Sequence, residues 1–139
     1  MENQFIDMIC FMRFLGIDYG EKKIGTAISD ENAKFAFPHS VIDNVSANSI
    51  LKALKIICDK NNVGKIVIGR SLDFKGQPNP IMKRIEKFKN FLEERLNISV
   101  EYENEVLTTK QAERAMGKSK KIHSSAAALI LQTYLDRQS

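Results

Sequence analysis

One stretch constrains the fold more than any other: Arg13-Phe14-Leu15-Gly16-Ile17-Asp18-Tyr19-Gly20-Glu21-Lys22-Lys23-Ile24-Gly25-Thr26-Ala27-Ile28-Ser29-Asp30. Phe14, Leu15 and Ile17 are strand formers, and Gly20 to Lys23 supply turn chemistry, so the pattern predicts a β-hairpin. Asp18 is the one acid inside the apolar run, where an unpaired carboxylate is costly to bury. It needs a cation, hydrogen-bond donors or a metal, and each of these points toward a site. The alternative is an aspartate that only caps the glycine turn.

The remaining sequence alternates strand and helix. Residues 33–42 read as a third strand, and Pro38 within it suits a sheet edge. Ile50, Leu51, Leu54 and Ile57 fall at helical spacing after Ser46, a suitable N-cap. Ile66-Val67-Ile68 is a short continuous apolar strand of the kind buried on both faces. Asn79 and Pro80 open a helix whose apolar stripe is Ile81, Ile85, Phe88, Leu92 and Leu96. Ile98, Val100 and Tyr102 alternate with Ser99, Glu101 and Glu103, which predicts a strand with one solvated face carrying Glu103. Thr108 and Gln111 form a capping box for a short helix that Gly117 closes, and a last helix spans about 124–136. The order βββαβαβαα defines an α/β fold: a mixed five-stranded sheet with helices on both faces.

At 139 residues the chain accommodates one domain, residues 13–137, preceded by an extension over residues 1–12. That extension carries Glu2 and Asp7 and lacks a basic start, unlike a signal peptide. No apolar run reaches membrane-spanning length. Cys10 and Cys58 lack metal-ligand spacing and read as reduced packing residues of a cytoplasmic protein. The formal charge of +4 suits a polyanionic partner.

Four segments together resemble a known family: LGIDYGxKxIGxAxSD, then VIG with Gly76 downstream, then E-x-LTT-x-x-A after a strand, then SSAAALILQTYLD. The resemblance covers residues 13–136 and is to the YqgF (RuvX-like) family of the RNase H-like superfamily. Members are described as Holliday-junction resolvases or as nucleases for the 5′ end of pre-16S ribosomal RNA. The resemblance implies an RNase H-like fold, a divalent magnesium or manganese cofactor, and a metal-dependent nuclease of ribosome biogenesis. Asp18 matches the family's first-strand aspartate. Asn104-Glu105-Val106-Leu107-Thr108-Thr109 matches its D-E-R-L-T-T motif, which carries over Glu105. Where the family has a further aspartate at the start of the last helix, this chain has His123.

Phosphodiester hydrolysis needs an activated water and a stabilised leaving oxygen, and two divalent ions about 4 Å apart provide both. Such ions favour hard oxygen ligands. Asp18, Glu105 and His123 are the expected catalytic and metal-binding residues, with the carboxylates of Asp18 and Glu105 within about 8 Å of each other. A helix start disfavours the imidazolium, which keeps His123 available as ligand or base. Lys22, Lys23, Arg70, Lys75, Lys118, Lys120 and Lys121 are the expected contacts to nucleic-acid phosphates. There is no Trp, and Phe14, Phe88 and Phe91 read as core, which argues against stacking on single-stranded bases.

The expected partner is a structured RNA precursor or branched DNA, with no membrane and a monomer or weak homodimer. Junction resolution in DNA repair is one alternative. A nucleic-acid-binding module that lost catalysis at His123 is another. The glycine turn also resembles the phosphate loop of actin-like ATPases, but those enclose ATP between two domains, more than 139 residues supply.

Overall fold

The computed structural model describes residues 12–70, 81–104 and 122–138. Its elements are β1 (Arg13–Tyr19), β2 (Lys23–Ser29), β3 (Ala36–Asp43), α1 (Ala47–Asn61), β4 (Val63–Arg70), α2 (Met82–Leu96), β5 (Ser99–Asn104) and α3 (Ile122–Gln138). The strands form one sheet in the order β3-β2-β1-β4-β5. β2 is antiparallel to β1 and β3, whereas β4 is parallel to β1 and β5. This is the mixed sheet that the element order predicts, in the RNase H-like arrangement that the family resemblance implies. The helix expected over 108–117, the Asn79-Pro80 start of α2 and the extension before Met12 lie outside the described residues.

Local chemistry accounts for most element boundaries. Asn44 closes the β1–β2 turn from β3, its side-chain amide donating to the Gly20 carbonyl at 2.9 Å and its backbone N–H to that of Lys22 at 2.9 Å. Pro38 lies on the edge strand opposite Ala27, next to a register shift between Thr26 and Ala27. Ser46 caps α1 through a reciprocal box with Ser49, and Asn62 ends the helix in the left-handed conformation. Asn97 ends α2 in the same way.

Each face of the sheet has its own core. Leu15, Ile17, Ile66 and Ile68 pack with Ile50 and Leu54 of α1 and Ile85, Phe88 and Leu92 of α2. Cys58 belongs to this core, and burial pushes its thiol up to about 11. On the other face Ala27 and Val67 pack with Ala127, Ile130, Leu131, Tyr134 and Leu135 of α3. Gly16 permits this close approach, because a Cβ there would lie 2.7 Å from Leu131 Cβ and 2.9 Å from the Ala127 carbonyl oxygen. Among the described residues no helix is long and apolar enough to cross a membrane.

Candidate active site

Strand alternation decides which way Asp18 faces. Leu15 and Ile17 enter the core under α1 and α2, while Gly16 meets α3. Asp18, two residues beyond Gly16, therefore lies on the α3 face, and it is only 7% exposed. Its partner on β2 is Gly25. On β4, Ile68 pairs with Ile17 and is followed by Gly69, whose partner on β5 is Glu103. One row across four strands thus reads Gly25, Asp18, Gly69, Glu103. Glycines on both sides leave the Asp18 carboxylate without side-chain neighbours in its own row.

α3 directs its first turn toward this row. Phe14 packs against Tyr134, with ring centroids 6.0 Å apart, and Gly16 faces Leu131 and Ala127. Moving up β1 toward Asp18 therefore means moving down the helix toward residue 122. His123 occupies the first turn of that helix, as expected, and Ser124 and Ser125 beside it are buried. A helix N-terminus carries partial positive charge, which favours a carboxylate or another anion nearby. Asp18 and Ser124 each hold a polar interaction.

Glu103 departs from the sequence expectation of a solvated strand face. It is 5% exposed, because α3 lies over its side of β5. Arg137, in the last turn of α3, forms an ion pair with it. That contact is ionic and lacks hydrogen-bond alignment, so Oε2 is buried without a hydrogen-bond donor among the described residues. Glu101, two residues earlier on the same face, accepts a hydrogen bond from Tyr134 and lies 3.5 Å from Lys65 Nζ. The Tyr134 hydroxyl, with Lys65 behind it, holds the Glu101 carboxyl below its ordinary range. Burial and the same hydrogen bond push Tyr134 up to about 12. Sequence pattern could not reveal the burial of Glu103, since the helix covering it begins eighteen residues after β5 ends.

The expected cations divide between the faces. Lys22 and Lys23 lie in and just after the hairpin turn at the Asp18 end of β1, and Lys23 pairs with Asp43. Arg70 stands on the opposite face, since Ile66 and Ile68 of its strand enter the other core. Its guanidinium donates to Asn104 Oδ1 at 3.0 and 3.2 Å and lies 5.8 Å from the centre of the Tyr102 ring. Glu105, Lys75, Lys118, Lys120 and Lys121, and the side chain of His123, lie outside the described residues; so does the expected separation of Asp18 and Glu105. Among the described residues, no three His, Cys, Asp or Glu side chains converge as a metal site. Asp18 and Glu103 nevertheless offer hard oxygen donors, the class that magnesium and manganese prefer.

A first-strand carboxylate on a 3-2-1-4-5 mixed sheet, under the start of the last helix, is the arrangement of an RNase H-like fold. The fold matches Thermus thermophilus RuvC in complex with a Holliday junction substrate, with a TM-score of 0.59 over 92% of this chain and 96% of that one. At 11% identity this likeness is one of fold. The chain belongs to the RuvX family, whose model, described as Holliday junction resolvase, matches residues 12–137. A protein of Caldanaerobacter subterraneus subsp. tengcongensis, provisionally named a pre-16S rRNA nuclease, is 40% identical over 91% of this chain and 98% of its own length. A Clostridium kluyveri protein with the same provisional name is 39% identical over 91% of this chain and 98% of its own.

Proposed function

We propose that this protein is a metal-dependent nuclease that hydrolyses phosphodiester bonds while trimming the 5′ end of pre-16S rRNA. The observation that carries the reading is Asp18: buried at mid-sheet, flanked by glycines and set toward the N-terminal end of α3. The provisional names of the relatives support ribosomal RNA as substrate. That role implies work in the cytoplasm.

Asp18, Glu105 and His123 would hold magnesium or manganese, with Glu103 as a further oxygen donor on the same face. Such ions, when bound, lower the pKa of a water and offset charge on the leaving oxygen. The protein's own part is positional. Asp18 is fixed by the central strand, and the first turn of α3 brings residue 123 and its backbone N–H groups to the same end of the sheet. Lys22 and Lys23 stand at that end and would hold phosphates there, whereas Arg70 would meet them on the opposite face. Lys75, Lys118, Lys120 and Lys121 belong to the same proposed set of phosphate contacts.

Asp18→Asn is expected to abolish cleavage while leaving nucleic-acid affinity largely intact, since affinity rests on Lys and Arg. Cleavage by the variant at the parental rate would rule the mechanism out. The description of the family model favours a second reading, resolution of four-way DNA junctions. Assaying a pre-rRNA fragment and a four-way junction side by side, each with manganese and with magnesium, separates the two. Binding of RNA with no cut under either ion would instead identify a binding module that lost catalysis with the His123 departure.

A further inference from the structure

Tyr19 follows Asp18 directly and so faces the other side of the sheet, where it packs against the core under α1 and α2. There it borders an open cleft of about 390 Å³ between the hairpin end of β1, the start of α1 and the outer side of α2. The volume lies within the range of about 300–1,000 Å³ typical of small-ligand sites. Three rings line it: Tyr19, Phe88 and Phe91. Tyr19 and Phe88 form a tilted pair with centroids 5.0 Å apart. Phe88 is buried at the floor, while Tyr19 and Phe91 remain half-buried at the walls.

Charge is concentrated on one side of the same cleft. Arg84 and Lys87 both line it and stand three residues apart on α2, hence on adjacent turns of one helix face. Both are exposed. Lys87 has no acidic partner among the described residues. Arg84 has Glu21 at 4.0 Å, the outer limit of an ion pair. Asn44 lines the opposite side; one Nδ2 hydrogen goes to the Gly20 carbonyl, which orients the amide, and Oδ1 receives no hydrogen bond from the described residues.

We infer that this cleft is a nucleotide-binding subsite, with a base lying against the Tyr19 and Phe91 rings and its phosphate held by Arg84 and Lys87. A hydrocarbon ligand would leave both cations unused, and an acidic side chain would leave the aromatic walls unfilled. A planar base bearing a phosphate uses both, and base–aromatic stacking tolerates any base. An N–H of the base meets Asn44 Oδ1. The nucleotide is either one unit of a single-stranded RNA or a free mononucleotide, since both present this chemistry. For a strand, the geometry is economical: Asp18 and Tyr19 are consecutive, so RNA rounding the hairpin end of the sheet meets one face and then the other. The expectation of core roles for Phe88 and Phe91 holds for packing, but both rings also face the cleft, and stacking there reverses the expectation against base stacking that those roles suggested.

The inference goes beyond the cleavage reading and stands without it, since no cleft residue belongs to the proposed active site. The test uses the full chain carrying Asp18→Asn, so that no probe is cut. Binding of AMP and of single-stranded hexa-adenylate is measured by calorimetry for this parent, for Arg84→Gln/Lys87→Gln, and for Ala47→Phe. Ala47 is exposed at the cleft edge, so Phe there fills the slot and removes no charge. Ala47→Met repeats the test with a smaller filler should the Phe variant fold poorly. Both kinds of variant are expected to keep the parental melting temperature and to weaken binding by about tenfold or more. Loss confined to AMP identifies a site for free nucleotide, and loss confined to hexa-adenylate identifies a strand subsite. The inference is overturned if the parent binds neither probe, if the variants bind as the parent does, or if only the charge variant weakens.

Discussion

Asp18 and Glu103 are both carboxylates on the α3 face of the sheet, yet they differ in how plainly each can be read. Asp18 interrupts an apolar run, and the cost of burying a lone carboxylate marks it at once. Glu103 sits in a regular alternation that also describes a solvated strand. Its burial depends on α3 crossing β5, which no local pattern encodes. Glu103→Gln is expected to weaken manganese binding and slow cleavage by about tenfold or more, in the range seen when groups supporting a metal site are removed. Glu101→Gln should leave both unchanged, since Glu101 is engaged by Tyr134 and Lys65. Manganese titration of both variants separates the two roles. At residue 123, nitrogen suits the softer transition ion. His123→Asp is expected to move the optimum from manganese toward magnesium, read as activity titrated against each ion. An unchanged preference would show that residue 123 does not reach the metal.

At the scale of single elements, α3 is held to the sheet by close approach and by polar contacts at both edges. Gln132 accepts from the Ala36 N–H and donates to the Lys34 carbonyl, each at 2.9 Å, and a corner forms on β5. Gly16→Ala puts a methyl against Leu131 and the Ala127 carbonyl, and backbone there cannot yield without moving the helix. Overpacking of this kind costs about 1–3 kcal/mol, measurable as a fall in urea midpoint at constant m. The corner is the Tyr134–Glu101 bond, whose loss in Tyr134→Phe should cost about 1 kcal/mol near neutral pH, because Glu101 is half exposed. Its pH dependence has two limbs. Glu101 is depressed in the folded state, so its contribution is present above the ordinary carboxylate range and is lost as pH falls through the folded value. Tyr134 is raised from 10.0 to about 12, so its contribution is present below 10.0 and is lost as pH rises toward 12. Unfolding free energy against pH should therefore fall at both ends in the parent and be flatter at both in Tyr134→Phe. The α1 cap, by contrast, was legible from Ser46 alone, and Ser46→Ala should cost about 1 kcal/mol.

Among the described residues the strands form one sheet with a core on each face, and α3 is the helix that supplies the second core. A chain ending at Lys121 leaves Ala27, Val67 and the Gly16 groove open to water, and it is expected to lose cooperative unfolding by circular dichroism. Retention of a sharp transition would show that the α1–α2 core suffices. The pattern of amino acids by itself determined the elements: the hairpin and its acid, the capped α1, the stripe of α2, the doubly buried β4, and an α/β order that leads to a mixed sheet. Periodicity, caps and turns are local, so the chain carries them wherever it goes. Only the tertiary structure decided what those elements bring together. The parallel register of β4 and β5 put Gly69 and Glu103 in the row of Asp18, and α3 buried Glu103 and turned its first turn toward that row. The same packing placed Arg70 on the far face and opened the Tyr19 cleft beside Arg84 and Lys87. Each of these is a relation between residues distant in the chain, set by strand pairing and helix docking.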